Sequence, residues 1–150
     1  QYYETIAGGS GAGNGFKGAD GIQTHMTNSR LTDPEILEQR YPIRLELFAL
    51  RKGSGGLGKW NGGNGLLRKF RFLAPMQVSI LSGSRVVAPF GLAGGQPGAT
   101  GFNQLQNADG TLNMLPGCTS FKVKAGEAVL IATPGGGGYG KPSDSSPKPD

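Results

Sequence analysis

The chain has 150 residues, a formal net charge of +5, one cysteine, one histidine and 28 glycines. This length makes about one domain, burying roughly 68–70% of the unfolded surface. The lone Cys118 excludes an internal disulfide and a multi-cysteine zinc site, and the apolar runs fall far short of the ~18–20 residues of a membrane-spanning helix. Glycine together with 10 prolines would ordinarily signal low complexity. Here the glycines alternate with apolar runs such as Val78–Leu81 and Ala128–Ile131, so a folded domain with many tight turns is expected. From Arg44 to Arg71 seven bases face one acid, Glu46. No nucleic-acid motif accompanies them, and a basic face meeting an acidic partner surface is the expectation.

In chain order, residues 1–7 read as a short strand rich in β-formers. Gly8 to Gly21 is a glycine-studded loop around Phe16, and Thr24 to Arg30 is irregular or a short strand. One helix follows, at about 33–40. Thr32 is its expected cap, Glu35 the return arm of a capping box, Pro34 lies in the first turn, and Pro42 stops it at Tyr41. From Ile43 the period becomes two. Ile43, Leu45 and Leu47 alternate with Arg44, Glu46 and Phe48; Phe70 and Phe72 with Lys69 and Arg71; Met76, Val78 and Ile80 with Gln77, Ser79 and Leu81; Phe121 and Val123 with Lys122 and Lys124. Glycine turns separate these runs. The pattern predicts a mainly β domain over 1–140, an antiparallel β-sandwich or barrel-like fold with one short helix, followed by a disordered tail over 141–150. Starting at Gln1 with no signal peptide, the chain is expected to be processed or a fragment.

The glycine motifs need sorting. Gly53 to Trp60 falls one residue short of a phosphate-binding loop, because Trp60 follows Lys59 where Ser or Thr must hold magnesium. Asn61-Gly62-Gly63 also denies it the helix whose N-terminal amides would face a phosphate. The pattern G-x-G-x-x-G occurs from Gly13, Gly53 and Gly135, never between a strand and a helix, so dinucleotide binding is rejected. Gly135, Gly136, Gly137 and Gly138 differ in kind. A run of glycine loses much backbone entropy on folding, which is offset only where side chains are excluded by close chain contact, a ligand or a partner. Two readings stay open: a flexible exit to the tail, or a backbone surface lining a site or interface.

The single histidine lies in Thr24-His25-Met26-Thr27-Asn28-Ser29-Arg30-Leu31-Thr32-Asp33-Pro34-Glu35. An imidazole titrates near neutral pH and can shuttle protons or bind metal. Arg30 can fork onto a carboxylate, and Asn28 can hold a carbonyl. His25, Asn28, Arg30 and Asp33 therefore form a candidate polar site, or they satisfy one another and the helix N-terminus. A nucleophilic Cys118 would need a base, and nothing in the sequence brings His25 to it.

Six ordered blocks carry a resemblance: residues 2–9, 24–35, 40–42, 53–56, 89–95 and 133–140. Together they resemble the C-terminal part of the hydantoinase B/5-oxoprolinase family. The resemblance implies a fragment of a cytoplasmic, ATP-dependent cyclic-amide hydrolase, with 5-oxoprolinase of glutathione metabolism favoured. N-methylhydantoin hydrolase and acetone or acetophenone carboxylase are alternatives, as is a purely structural or interaction role. It implies that ATP and Mg2+ are bound by a hydantoinase A-like ATPase part, in the same chain or a separate subunit, and not by these residues. The partners implied are that part, the rest of the B part and a small-molecule substrate, with neither nucleic acid nor membrane. A lactam amide is resonance-stabilised; phosphorylating its oxygen makes the carbon electrophilic, which explains the need for ATP. His25, Asn28, Arg30 and Asp33 fill the most recognisable block and are the substrate-site candidates; no metal ligand is assigned. Ser29 stands where relatives often have threonine, a conservative departure.

Overall fold

The computed structural model describes residues 1–25 and 27–142; the expected tail from 143 onward lies outside them. Helix α1 (Pro34–Arg40) is followed by seven strands: β1 (Ile43–Arg51), β2 (Gly65–Phe72), β3 (Met76–Leu81), β4 (Phe102–Gln106), β5 (Leu112–Leu115), β6 (Cys118–Val123) and β7 (Ala128–Ala132). A five-stranded antiparallel sheet runs β1-β2-β7-β4-β5, and β3 pairs with β6 in a separate two-stranded sheet. The two sheets pack as an open sandwich, so the barrel alternative is set aside. Its core joins Ile43, Phe72 and Val129 of the large sheet to Ile80 and Val123 of the small one, with Leu37 of α1 beside them. Period-two alternation delivers these residues to one side of each strand.

The alternation expected along β1 slips. A register shift between Leu45 and Leu47 leaves Leu47 exposed, although it continues the apolar series. Two other expectations are corrected. Residues 1–7 join no sheet; instead the segment crosses β2, where the Glu4 carboxylate takes two hydrogen bonds from Arg68 at 2.7 and 2.9 Å. The helix cap is Asp33 and not Thr32: its Oδ1 accepts the Glu35 amide at 2.9 Å. Pro34 explains the shift, because a proline drives the residue before it into the extended region, and Asp33 has ψ 133°.

The largest departure from a simple sandwich is a bundle of glycine-rich segments that belong to no sheet. The segment Pro134–Gly140 runs through it, and Gly135, Gly136, Gly137 and Gly138 are all buried. A Cβ on Gly135 would strike the Ser54 carbonyl, on Gly136 that of Ser10, on Gly137 that of Phe90 and on Gly138 that of Leu57. The direction returns to the Ser54–Leu57 segment after three residues, the repeat of a polyproline-II helix. Hydrogen bonds tie it to the surrounding segments. Gly136 donates to Gly63 at 2.9 Å, Gly138 to Gln96 at 2.9 Å and Gly135 to Ala99 at 3.1 Å; Ala12 donates to Gly137 at 2.9 Å and Gly56 to Gly136 at 2.8 Å. Close chain contact therefore excludes the side chains, and the flexible-exit reading does not hold for this run. Thr133 links the bundle to the sandwich, its buried hydroxyl accepting the Leu66 amide at 2.6 Å and donating to the Ala7 carbonyl at 2.8 Å.

Candidate functional site

The segment carrying His25, Asn28, Arg30 and Asp33 leaves the bundle at Ile22, which bridges Gly8, and is tethered by a 2.7 Å hydrogen bond from Gln23 Nε2 to the Thr5 carbonyl. His25 adopts a left-handed φ of 57°, uncommon for a residue with a Cβ. Thr27 donates through its hydroxyl to the Thr24 carbonyl at 2.7 Å, and the Ser29 amide bonds to the Thr27 carbonyl at 2.7 Å. Leu31 and Thr32 turn partly inward before α1 begins. His25, Asn28, Arg30 and Asp33 are all exposed, and among the described residues no hydrogen bond or ion pair joins any two of them. Asp33 is engaged as the helix cap. The structure thus holds three polar side chains outward on a short looped ledge, without assembling them into a hydrogen-bonded cluster.

The Gly53–Trp60 loop tests whether this chain holds a nucleotide. Its amides are spent internally: Gly55 and Gly58 donate to the side chains of Asn64 and Asn61 at 3.2 and 3.0 Å, and Gly56 and Lys59 to the carbonyls of Gly136 and Gly140 at 2.8 and 3.1 Å. Lys59 lies over the Trp60 ring at 4.7 Å from its centre. Most of the amides that a phosphate cradle would need are thus already bonded within the fold. Among the described residues there is also no group of three or more His, Cys, Asp or Glu able to hold a metal ion.

A cleft that the sequence did not announce opens between the sheets. It measures about 370 Å³ and is lined mainly by Tyr2, Tyr41, Phe70, Met76, Val129 and Ile131, with Glu4 at its edge. Tyr2 donates to Glu4 Oε2 at 2.7 Å, and burial raises the Tyr2 phenol above its ordinary pKa. Arg68, 1% exposed, pairs with Glu4 and lies between the Phe48 and Phe70 rings, 4.8 and 4.7 Å from their centres. Three donors, two from Arg68 and one from Tyr2, thus already sit on the Glu4 oxygens. One signal was available: Leu66, Arg68, Phe70 and Phe72 share a strand face, so Arg68 interrupts an apolar series.

The basic stretch is likewise largely spent within the fold. Lys69 pairs with Glu46 at 3.0 Å, Arg71 takes the same carboxylate, Arg68 pairs with Glu4, and Arg51 donates to the carbonyls of Thr100 and Thr133. Among its seven bases Arg44, Lys52 and Lys59 are exposed and the other four are half-buried or buried. Among the described residues no helix is long and apolar enough to cross a membrane.

The family description Hydantoinase B/oxoprolinase matches residues 1–142. This chain belongs to that family. Among its relatives, 5-oxoprolinase 1 of Arabidopsis thaliana is 54% identical over 93% of the chain, and the 5-oxoprolinase of Dictyostelium discoideum is 46% identical over 93%. The crystal structure of the ATP-dependent caprolactamase from Pseudomonas jessenii superimposes with a TM-score of 0.76 at 26% identity, covering 91% of this chain and 24% of that one. The chain spans 11% of the length of each of the two 5-oxoprolinases. In this hydantoinase B/oxoprolinase member, the blocks at 2–9, 53–56, 89–95 and 133–140 all contribute glycines to the bundle, whereas 24–35 contributes the exposed ledge.

Proposed function

We propose that this chain is the C-terminal part of an ATP-dependent 5-oxoprolinase, which converts 5-oxoproline, ATP and water to glutamate, ADP and phosphate in the cytoplasm. The observation that carries the proposal is the 54% identity to 5-oxoprolinase 1 of Arabidopsis thaliana across 93% of the chain. ATP and Mg2+ belong to a hydantoinase A-like part, in keeping with amides in the Gly53–Trp60 loop that are already bonded within the fold. The contribution of this chain is to present the ledge, with His25, Asn28 and Arg30 turned toward the substrate region formed with the rest of the polypeptide. Their exposure and lack of mutual bonding support that reading.

The test uses the intact parent enzyme, measuring glutamate formed from 5-oxoproline with and without ATP. ATP-dependent glutamate is the expected result. ATP hydrolysis driven by hydantoins or ketones, with no glutamate, keeps the family and replaces the substrate. In the same enzyme His25→Ala is expected to abolish most turnover with assembly intact; unchanged turnover reduces this part to a scaffold. The scaffold reading has its own support, the bundle whose polar backbone is spent on itself.

A further inference from the structure

Arg51 and Arg85 both end on the first residues of β4. Arg51 donates from one Nη to the carbonyls of Thr100 at 2.7 Å and Thr133 at 3.1 Å, and its guanidinium carbon lies 5.1 Å from the centre of the Phe102 ring. Arg85 donates to the Gly83 carbonyl at 2.7 Å and to Oδ1 of the fully buried Asn103 at 3.1 Å. Asn103 is itself fixed, since its Nδ2 donates to Ser82 Oγ at 3.0 Å and to the Pro116 carbonyl at 3.3 Å. The Ser84 carbonyl, in a residue with φ 54°, accepts the Gly101 amide at 2.9 Å and pins the loop. Glycine makes room for the side chain: a Cβ on Gly101 would lie 2.7 Å from Arg85 Cζ, and one on Gly117 3.3 Å from Arg85 Cγ.

Charge around this seat is unbalanced. The ion pairs of the described residues are Arg68–Glu4, Lys69–Glu46 and Arg71–Glu46, and neither Arg51 nor Arg85 joins one. Arg85 Nε is buried with no hydrogen-bond partner among the described residues. Burial lowers the pKa of both guanidiniums, and the charge of Arg51 lowers that of Arg85 further. Two like charges on half-buried side chains, partly withdrawn from water, oppose folding unless something of opposite sign meets them. The acceptors they hold, three carbonyls and an amide oxygen, are neutral and need no charged donor.

We propose that Arg51 and Arg85 form a carboxylate-binding site. The planar guanidinium fork matches a carboxylate in two-point geometry. Phosphate sites add backbone amides, whereas the backbone here turns carbonyls toward the pair, and the nearby amides of Gly101, Thr133 and Gly135 are taken by Ser84, Leu66 and Ala99. The carboxylate has two possible sources. 5-Oxoproline carries one on its ring, an arm that rests on the proposed function. An acidic side chain from elsewhere in the parent polypeptide is the other, and this arm does not rest on the substrate.

The experiment has two stages. The arginine Nε–H resonances of the chain are followed by NMR during titration with acetate, 5-oxoproline, inorganic phosphate and 2-pyrrolidinone, the same lactam without its carboxylate. A saturable shift of the Arg85 signal with both carboxylates and none with 2-pyrrolidinone is expected. No saturable shift with either carboxylate, or a response to phosphate alone, overturns the proposal; this stage reads the same even if the parent makes no glutamate. In the parent enzyme, Arg85→Gln then separates the sources. A KM for 5-oxoproline raised roughly tenfold to a hundredfold, the scale of losing a charged hydrogen bond, with KM for ATP unchanged, identifies the substrate. An unchanged KM with an unfolding temperature lowered more in the parent than in the chain alone identifies an acidic side chain. No change in either quantity overturns the site. Arg85→Lys, which keeps the charge, is expected to recover part of whichever effect is seen.

Discussion

Gly136→Ala is the sharpest perturbation of the glycine bundle. The added Cβ overlaps the Ser10 carbonyl and lies 2.7 Å from the Gly11 amide nitrogen, so the obstacle is backbone on every count. That backbone is held from both ends: Ser10 donates to Ala19 at 2.9 Å and accepts from Gly63 at 2.9 Å, while Gly136 donates to Gly63 at 2.9 Å and accepts from Gly56 at 2.8 Å. Relief requires giving up about two of these bonds, at roughly 1 kcal/mol each net. Overpacking that remains costs about 1–3 kcal/mol more. The expected loss is therefore about 3–5 kcal/mol, a large part of the ~5–15 kcal/mol that stabilises a typical domain. At ~2–4 °C per kcal/mol, the unfolding midpoint falls by roughly 6–20 °C. Trp60 is the single tryptophan and sits in the bundle, bonded to Tyr139 at 3.0 Å, so its fluorescence during urea or thermal unfolding reports the event. Gly83→Ala is the control. Nothing lies within 4 Å of its Cβ position and its φ is not left-handed, so it should be stabilising by about 0.4–1 kcal/mol through the unfolded chain. Equal midpoints for the two variants would refute the packing account.

Glu4→Gln leaves the Arg68 charge buried and unpaired and is expected to cost about 3–5 kcal/mol in urea unfolding; combining Glu4→Leu with Arg68→Met should recover most of it. Asp33→Ala removes the helix cap and should cost about 1 kcal/mol, whereas Thr32→Ala should leave capping intact. The Glu46 carboxyl is held below its usual range, chiefly by the hydrogen bond from Arg71 and then by Lys69. A depressed folded pKa gives stability present above the unfolded value and lost as pH falls through the folded one. Wild-type midpoints should therefore drop more steeply than those of Glu46→Gln between pH ~6 and ~3, and salt should shrink the difference. The purified chain should release no ADP from ATP above a buffer control; measurable release would contradict the loop argument.

Much of the sandwich was legible because side-chain periodicity writes itself into sequence. β1, β2, β3 and β6 follow from it, β7 shows only as the apolar run Ala128–Ile131, and α1 follows from Pro34, Pro42 and a short apolar side. β4 and β5 were not legible. Asn103 and Gln104 break the apolar pattern of β4, and Asn103 is buried only because Ser82, Arg85 and Pro116 satisfy its amide, a fact of tertiary structure. Residues 1–7 have β-forming side chains but spend them on Arg68 and the cleft and not on a ladder. The bundle was invisible for a deeper reason. A segment that packs by having no side chains leaves no hydrophobic period to read, so its glycines looked like turns and like fragments of nucleotide-binding patterns. Arg51 was counted in the basic stretch and Arg85 was not singled out, and only folding shows that they meet at Thr100–Asn103.

This bears on how the family resemblance should be used. The blocks around Gly8, Gly53, Gly91 and Gly135 stand out because steric exclusion permits almost nothing else there, as the backbone contacts of Gly9, Gly55, Gly91 and Gly135 require. Their presence identifies the fold and says little about chemistry. Chemistry is better sought where side chains outside the bundle carry charge or hydrogen-bonding groups. Two such places are the exposed ledge with His25, Asn28 and Arg30, and the half-buried, unbalanced pair Arg51 and Arg85. The first is held out from the bundle by Gln23 and α1, the second is seated between Gly101 and β1. On the function proposed above, the densely bonded glycine bundle has a use. It would fix side chains that this chain does not itself bring together, for the remainder of the proposed parent polypeptide to complete a site around them.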